Sequence, residues 1–247
     1  MTALDDLRIA VGFLTRIPAG TGLAPAPGGL ARSALWFPAV GLLVGAVLGG
    51  VRLLAEATGL APTPATVLGV AAAIVLTGAL HEDGLADVAD AIGVLAPRER
   101  RLEIMRDSRI GTFGAVALIL AIVLTVSALG SLDGEDALRA AVAGHVLARW
   151  SMVAHALLGT PARPDGLGRL LRVGRIPGAV TTLAAAAAVL ALGWWAAGAL
   201  ALATGALVTG AATRAATRAF GGTTGDTFGA TGKLVEVATF LVFAAAW

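Results

Sequence analysis

Long apolar runs separated by short charged stretches set the pattern of this chain. Runs close to the roughly 20 residues that a bilayer core requires lie at about 35–55, 62–80, 111–130, 137–158, 177–195 and 197–216, with a shorter last one at 233–247. An earlier apolar segment, at about 7–18, is too short to span and ends at Pro18; the Gly/Pro/Ala-rich linker GTGLAPAPGG follows it. The pattern predicts an all-α, polytopic integral membrane helical bundle of about six to seven transmembrane helices, a single membrane-embedded domain over residues 1–247. In the first span GLLVG and GAVLGG offer small-residue contact surfaces, although an Ala/Gly-rich chain also produces such spacings by chance.

Composition strengthens this reading. The chain is 57% hydrophobic and only 14% charged, against a usual charged quarter. Its mean hydropathy is +0.85. With no cysteine, neither a disulfide framework nor a thiolate metal site is available. The opening MTALDDLRIAVGFLTRIP lacks the basic leader, long apolar core and cleavage site of a secretory signal, so none is expected. The net charge is +2, the arginines lie in separate loops and there is no tyrosine to interleave with them; no nucleic-acid groove is expected.

The loops set the orientation. If the N-terminus is cytoplasmic and seven spans alternate, the cytoplasmic segments hold Arg8, Arg16 and Arg32, then Arg98 to Arg109, then Arg163 to Arg175, and finally Arg214, Arg218 and Lys233. The opposite side keeps only Arg52 and Arg139, beside the acidic SLDGED loop. Lys/Arg asymmetry of this kind orients membrane proteins, so every charge-rich loop, and any active site, is expected at the cytoplasmic face.

The densest chemistry lies in HEDGLADVAD, His81 to Asp90, with one Glu and three Asp. On a helix advancing about 100° per residue, Asp83, Asp87 and Asp90 fall within roughly 60° of one another, and Glu82 sits at the edge of that face. Like charges on one stripe destabilise a bare helix. A bound Mg²⁺ or Mn²⁺ reverses that sign, because carboxylates are hard oxygen ligands. An acidic helix start would explain Glu82 and Asp83 but not Asp87 and Asp90.

Other clusters follow in order. Pro97 opens a short helix whose Arg98, Arg100 and Arg101 suit anionic lipid headgroups. Asp107, Ser108 and Arg109, just before Gly111, offer either a phosphate cradle or a simple helix cap. Arg149, in the fourth span with His145, must face a wet cavity or a carboxylate, in a functional role or in a structural ion pair. His145 reads as a satisfied buried histidine, and His155 carries no expectation. The basic loop with Arg163, Asp165, Gly166 and Gly168 is read as a topology determinant or a binding loop. Arg214 and Arg218 are one turn apart at the end of the sixth span. The GGTTGD turn, with Gly222 and Gly225, lets backbone amides approach an anion. Asp226, expected just before the final span, is placed either to join the acidic helix around a metal or simply to serve the turn and cap the last helix.

In this order the blocks FLTRIP (Phe13 to Pro18), LHEDGLADVADA (Leu80 to Ala91), RRLEIMRDSRIGTFG (Arg100 to Gly114), PARPDGLG (Pro161 to Gly168) and GGTTGDTFGA (Gly221 to Ala230) resemble the cobalamin synthase family, the adenosylcobinamide-GDP ribazoletransferases. HEDGLAD followed by RDSRIGT carries most of that resemblance. Gly232 and Lys233 stand where the family often has Asn and Glu, and Phe113 where Tyr is common. The resemblance implies a multi-pass enzyme of the bacterial cytoplasmic (inner) membrane, dependent on Mg²⁺ with Mn²⁺ as a substitute. It would join adenosylcobinamide-GDP to α-ribazole or its 5′-phosphate, with release of GMP. Position by position, Glu82, Asp83, Asp87 and Asp226 would hold the metal, Asp87 also acting in catalysis. Asp90 would be a further ligand or the base for the attacking hydroxyl. Arg109, Arg149, Arg214 and Arg218 would hold the diphosphate, and Asp107 and Ser108 would help to orient it. A homo-oligomer is left open.

Two other classes compete. The acidic DGLAD stripe is analogous to the Asp-Gly-x-x-Ala-Arg helix of CDP-alcohol phosphotransferases, which make lipids from nucleotide-linked donors. A cation or corrinoid transporter would show paired halves and midplane charges; no internal repeat is found and the acids cluster at one face.

Overall fold

The computed structural model describes residues 2–19, 28–163, 166–192 and 194–246. The linker at 20–27 and Asp165 therefore lie outside the described residues. Among those described, the regular elements are helices: α1 (Ala3–Leu14), α2 (Gly29–Ser33), α3 (Phe37–Ala57), α4 (Pro62–Thr77), α5 (Leu80–Gly93), α6 (Arg98–Ile104), α7 (Thr112–Gly130), α8 (Gly134–Leu158), α9 (Leu167–Leu170), α10 (Arg175–Leu190), α11 (Trp195–Phe220) and α12 (Gly225–Ala245). The chain is an all-α polytopic membrane protein.

Five segments are long and apolar enough to cross a bilayer: Gly29–Ala57, which contains α3, and α7, α8, α11 and α12. α4 and α10 have 16 residues each, or about 24 Å at 1.5 Å per residue, short of a ~30 Å hydrocarbon core. α4 counts as a sixth span only together with α5, from which it is bent by 88°. The fifth expected span, at about 177–195, corresponds to α10 and falls short of that length.

α8 is the hub. It is buried along most of its length from Ala137 to His155, and α3 runs antiparallel against it through a stripe of glycines. A Cβ added at Gly45 would stand 2.6 Å from the Ala141 carbonyl oxygen, and Gly41 and Gly49 meet α8 as closely. The small-residue surfaces of the first span are thus the α3–α8 contact, close enough to exclude any side chain. On α8's other side, Gly144 accommodates the Phe240 ring of α12. At the end away from the acidic stretch, Arg52 is fully buried, and its guanidinium donates to the Leu129 and Leu132 carbonyls at 2.5 and 2.6 Å while pairing with Glu56. Those bonds tie α3 to the α7–α8 turn and satisfy a charge that would be costly in lipid.

The sharp α4–α5 corner comes from two successive left-handed residues, Gly78 (φ 65°) and Ala79 (φ 61°). For Ala79 that conformation costs about 1–2 kcal/mol. The corner sends α5 across α7 and α12. Gly84 permits the α12 crossing, since a Cβ there would lie 2.6 Å from the Asp226 carbonyl oxygen; Gly229 faces it from α12.

α12 begins at Gly225, earlier than the apolar run starting at 233 suggests. A reciprocal cap between Thr224 and Thr227 starts it. Its polar first turns are buried against α5 rather than left in a loop, which hydropathy alone does not register. Asp226 therefore sits in the first turn of the last helix, and Lys233, expected among cytoplasmic loop cations, is buried within it.

Candidate active site

At the loop-rich end a cleft of about 430 Å³ opens between α5 and the segment joining α6 to α7. Asp83 and Asp87 line it from α5; Arg106, Asp107, Ser108 and Arg109 line it from the facing segment. The acidic stripe and the expected phosphate cradle thus share one space. Burial first, and then the neighbouring Asp83, Asp226 and Asp90, push the Asp87 carboxyl up to about 7; no cation is among the groups acting on it. Asp107 is held at about 2, chiefly by the hydrogen bond from the exposed Arg109, whose Nη2 is 2.6 Å away. Arg109 must exchange that carboxylate for a phosphate to act as expected. Arg106, which the sequence did not single out beyond its loop, contributes a second guanidinium to the same wall.

Asp226 approaches the stripe from α12 and lines, with Asp83, a smaller adjoining cleft of about 190 Å³ that Gly225 also borders. Its carboxylate accepts from the Thr224 hydroxyl at 3.3 Å. Asp83, Asp87 and Asp226 are the right donor type for Mg²⁺. Burial together with the neighbouring carboxylates favours the neutral form of Asp87. Among the described residues no three acidic or histidine side chains form a ready-made ligand cluster. The fit is one of chemistry and common location.

The remaining site residues are placed differently from expectation. Glu82 also borders the larger cleft but is paired beneath it: its Oε1 lies 2.6 Å from the Lys233 ammonium, which also donates to Glu236 at 2.6 Å. Asp90 points at α7, where its two carboxylate oxygens accept the Gly111 and Gly114 backbone N–H groups at 2.7 and 2.8 Å. That is an N-terminal cap joining two helices, not a free base. Arg149 is buried at 1% exposure, with Nη1 at 2.8 Å from His145 Nδ1 and 3.5 Å from Glu236 Oε2. The carboxylate it was expected to face is Glu236, inside the bundle, and it borders neither of the two clefts. Arg214 and Arg218 lie on the exposed side of α11, while Ala216, Ala219 and Phe220 pack inward towards α5 and α6; neither arginine lines the two clefts.

The loops around the site are knitted by backbone contacts. Arg98 is not a lipid-facing cation: it donates to the Phe220 and Ala162 carbonyls at 2.7 and 2.9 Å. Arg163 donates to the Leu102 carbonyl at 2.7 Å. Thr223 pairs with Thr160 and Ala162 through backbone hydrogen bonds. Gly222, expected to approach an anion, instead presses on the Thr160 carbonyl with φ 153°, where no side chain fits. His155 bridges Thr213 and Thr227 at 2.7 and 3.1 Å, fixing α8 to α11 and to the first turn of α12.

Membrane-length helices with an acidic cleft at one end of the bundle define a polytopic membrane protein whose ionisable site lies where its helices meet their connecting loops. Residues 6–244 match the family described as cobalamin-5-phosphate synthase, and the chain belongs to that family. It is 42% identical to the adenosylcobinamide-GDP ribazoletransferase of Bradyrhizobium diazoefficiens, over 98% of this chain and 94% of that protein. Proteins of the same name in Mesorhizobium japonicum and Ralstonia nicotianae are 41% and 38% identical, over 97% and 98% of this chain and 92% and 96% of theirs. No solved structure matches it.

Proposed function

We propose that this protein is an adenosylcobinamide-GDP ribazoletransferase that carries out the final joining step of cobamide synthesis, from adenosylcobinamide-GDP and α-ribazole or its 5′-phosphate. The observation that carries the reading is the shared cleft, with Asp83 and Asp87 on one wall and Arg106, Ser108 and Arg109 on the other. Phosphoryl transfer needs little covalent help from the protein, mainly positioning and charge around the transferring oxygens. The ribose hydroxyl oxygen of the acceptor bonds to the cobinamide-linked phosphorus. The phosphoanhydride bond to the other phosphorus breaks, and GMP leaves. Arg106 and Arg109 hold the diphosphate oxygens, Ser108 donates to one of them, and Asp87 is the carboxylate placed to take the hydroxyl proton. Asp83, Asp87 and Asp226 would hold Mg²⁺, or Mn²⁺ in its place. When bound, the ion would neutralise charge developing on the phosphoryl oxygens. Glu82 belongs to the buried network beneath and Asp90 to the α7 cap. The protein works in the bacterial inner membrane with the cleft facing the cytoplasm, where nucleotide-linked donors are found.

The test is nucleotide release. Purified protein given adenosylcobinamide-GDP, α-ribazole and Mg²⁺ should liberate one GMP per joined product, and chelation should stop it. Activity with CDP-linked alcohols but not with the cobinamide donor would favour the lipid phosphotransferase reading. Uptake of corrinoid into vesicles without GMP release would favour a carrier.

A further inference from the structure

FLTRIP has no part in the phosphate chemistry above, yet it reaches the acidic cluster. The Arg16 backbone N–H donates to the Leu76 carbonyl at 2.7 Å, which seats the chain after α1 against the end of α4. Phe13 stacks on Phe37 with ring centroids 5.8 Å apart. From there Phe13 lines the 190 Å³ cleft together with Leu80, Met152 and Leu167, and with the carboxylates Asp83 and Asp226. Asp83 is the one residue common to this cleft and the larger one.

We propose that the small cleft is the base pocket for the acceptor: it takes a bicyclic aromatic ring of benzimidazole type and leaves the attached ribose hydroxyl beside Asp83. The proposal rests on the transferase reading and specifies its second substrate site. Size argues for it first. The cleft is smaller than the roughly 300–1,000 Å³ that encloses a drug-sized ligand, so it holds a single ring system and excludes a corrinoid or a whole nucleoside diphosphate. Chemistry argues second. Phe13, Leu80, Met152 and Leu167 offer ring-edge, thioether and aliphatic contacts to an aromatic face. Among its lining side chains none donates, so a guanine there would leave its O6 and N7 acceptors without a side-chain partner. Reaction geometry argues third. In-line displacement places the attacking and leaving oxygens on opposite sides of phosphorus. Two clefts meeting at Asp83 let acceptor and donor arrive from different sides.

The experiment uses the full-length protein in nanodiscs and measures KM separately for α-ribazole and for adenosylcobinamide-GDP. Phe13→Ala should raise the α-ribazole KM about tenfold, the loss of one aromatic contact, with the donor KM within about twofold. Leu167→Trp, which fills the cleft from the opposite wall, should raise the same KM at least as much. It decides the matter if Phe13→Ala, deprived of its stack on Phe37, does not fold. Wild-type protein should also prefer benzimidazole ribosides to purine ribosides, and Phe13→Ala should narrow that preference. A rise in the donor KM alone would put guanine in the cleft and overturn the proposal, as would an unchanged acceptor KM in the folded variants. If wild-type protein releases no GMP with both substrates present, the transferase reading itself fails and the pocket assignment falls with it.

Discussion

Asp87 and Glu82 belong to one helix and meet different neighbours. Burial, and then the facing acids, raise the Asp87 carboxyl to about 7. That shift is a statement about stability as well as reactivity. With a folded pKa above the unfolded value, the stabilising contribution of the protonated group is complete below about 4, the ordinary range of an aspartic acid, and is lost as pH rises through about 7. Metal-free protein should therefore lose stability between about pH 4 and 7, and Mg²⁺ should protect it more at pH 8 than at pH 6, since only the ionised carboxylate binds the ion. Thermal unfolding with and without Mg²⁺ at the two pH values checks this, and Asp87→Asn should flatten the difference. Asp83→Asn or Asp87→Asn should lower kcat by at least about a hundredfold, the effect of losing ~3 kcal/mol of transition-state stabilisation, while membrane insertion stays normal. Wild-type rates in either variant would remove both from the site. Glu82 is different, because Lys233 compensates it together with Glu236. Lys233→Met would leave two buried carboxylates short of a cation, at a cost of about 3–5 kcal/mol. Adding Glu82→Gln to Lys233→Met should recover part of that loss in detergent-solubilised protein; equal stability of wild type and Lys233→Met would show that the network carries no such load.

At the scale of helices, the acidic face of α5 was legible and the partner of that face was not. Spacing alone puts Asp83, Asp87 and Asp90 on one stripe. Whether each meets a metal, a helix end or a lysine depends on what packs against α5, and three different elements do. Asp90 goes to α7, Asp83 and Asp87 to the cleft, and Glu82 to Lys233 on α12. Only coordinates resolve that division. The same is true of Lys233, read as a loop cation because α12 was expected to begin at the apolar run rather than at the Thr224 cap. What holds α5 in place is a crossing of backbones at Gly84 and Gly229, so Gly84→Ala should separate Asp83 and Asp87 from Asp226. Activity should fall by about tenfold or more, since misplacement of about 1 Å costs up to ~10²-fold. Gly12→Ala, on α1 with nothing within 4 Å of the new methyl, serves as the control and should be neutral or slightly stabilising. Equal activity in both variants would mean that the α5–α12 approach does not set the site.

For the whole molecule, hydropathy identified the all-α membrane class and the main spans; α10 is shorter than a bilayer core, and the run expected at 62–80 ends at the corner into α5. The charge asymmetry, by contrast, grows sharper in three dimensions. The two arginines assigned to the opposite side are both paired there: Arg52 is buried against Glu56 and two carbonyls, and Arg139 pairs with Glu135 and Asp136. Neither presents an uncompensated positive charge at that end. The other end keeps α6, the Arg106–Arg109 wall and the exposed Arg214 and Arg218. Under the positive-inside rule the acidic cleft is expected to face the cytoplasm and the α7–α8 turn the opposite side. The chain contains no cysteine, so single cysteines report on this without background. Glu99 on α6 and Asp133 in the α7–α8 turn are both exposed. In intact spheroplasts Asp133→Cys should react with a membrane-impermeant maleimide, and Glu99→Cys should react only after permeabilisation. The reverse pattern would place the cleft on the side away from cytoplasmic nucleotides, and a donor carrying GDP could then no longer be its substrate.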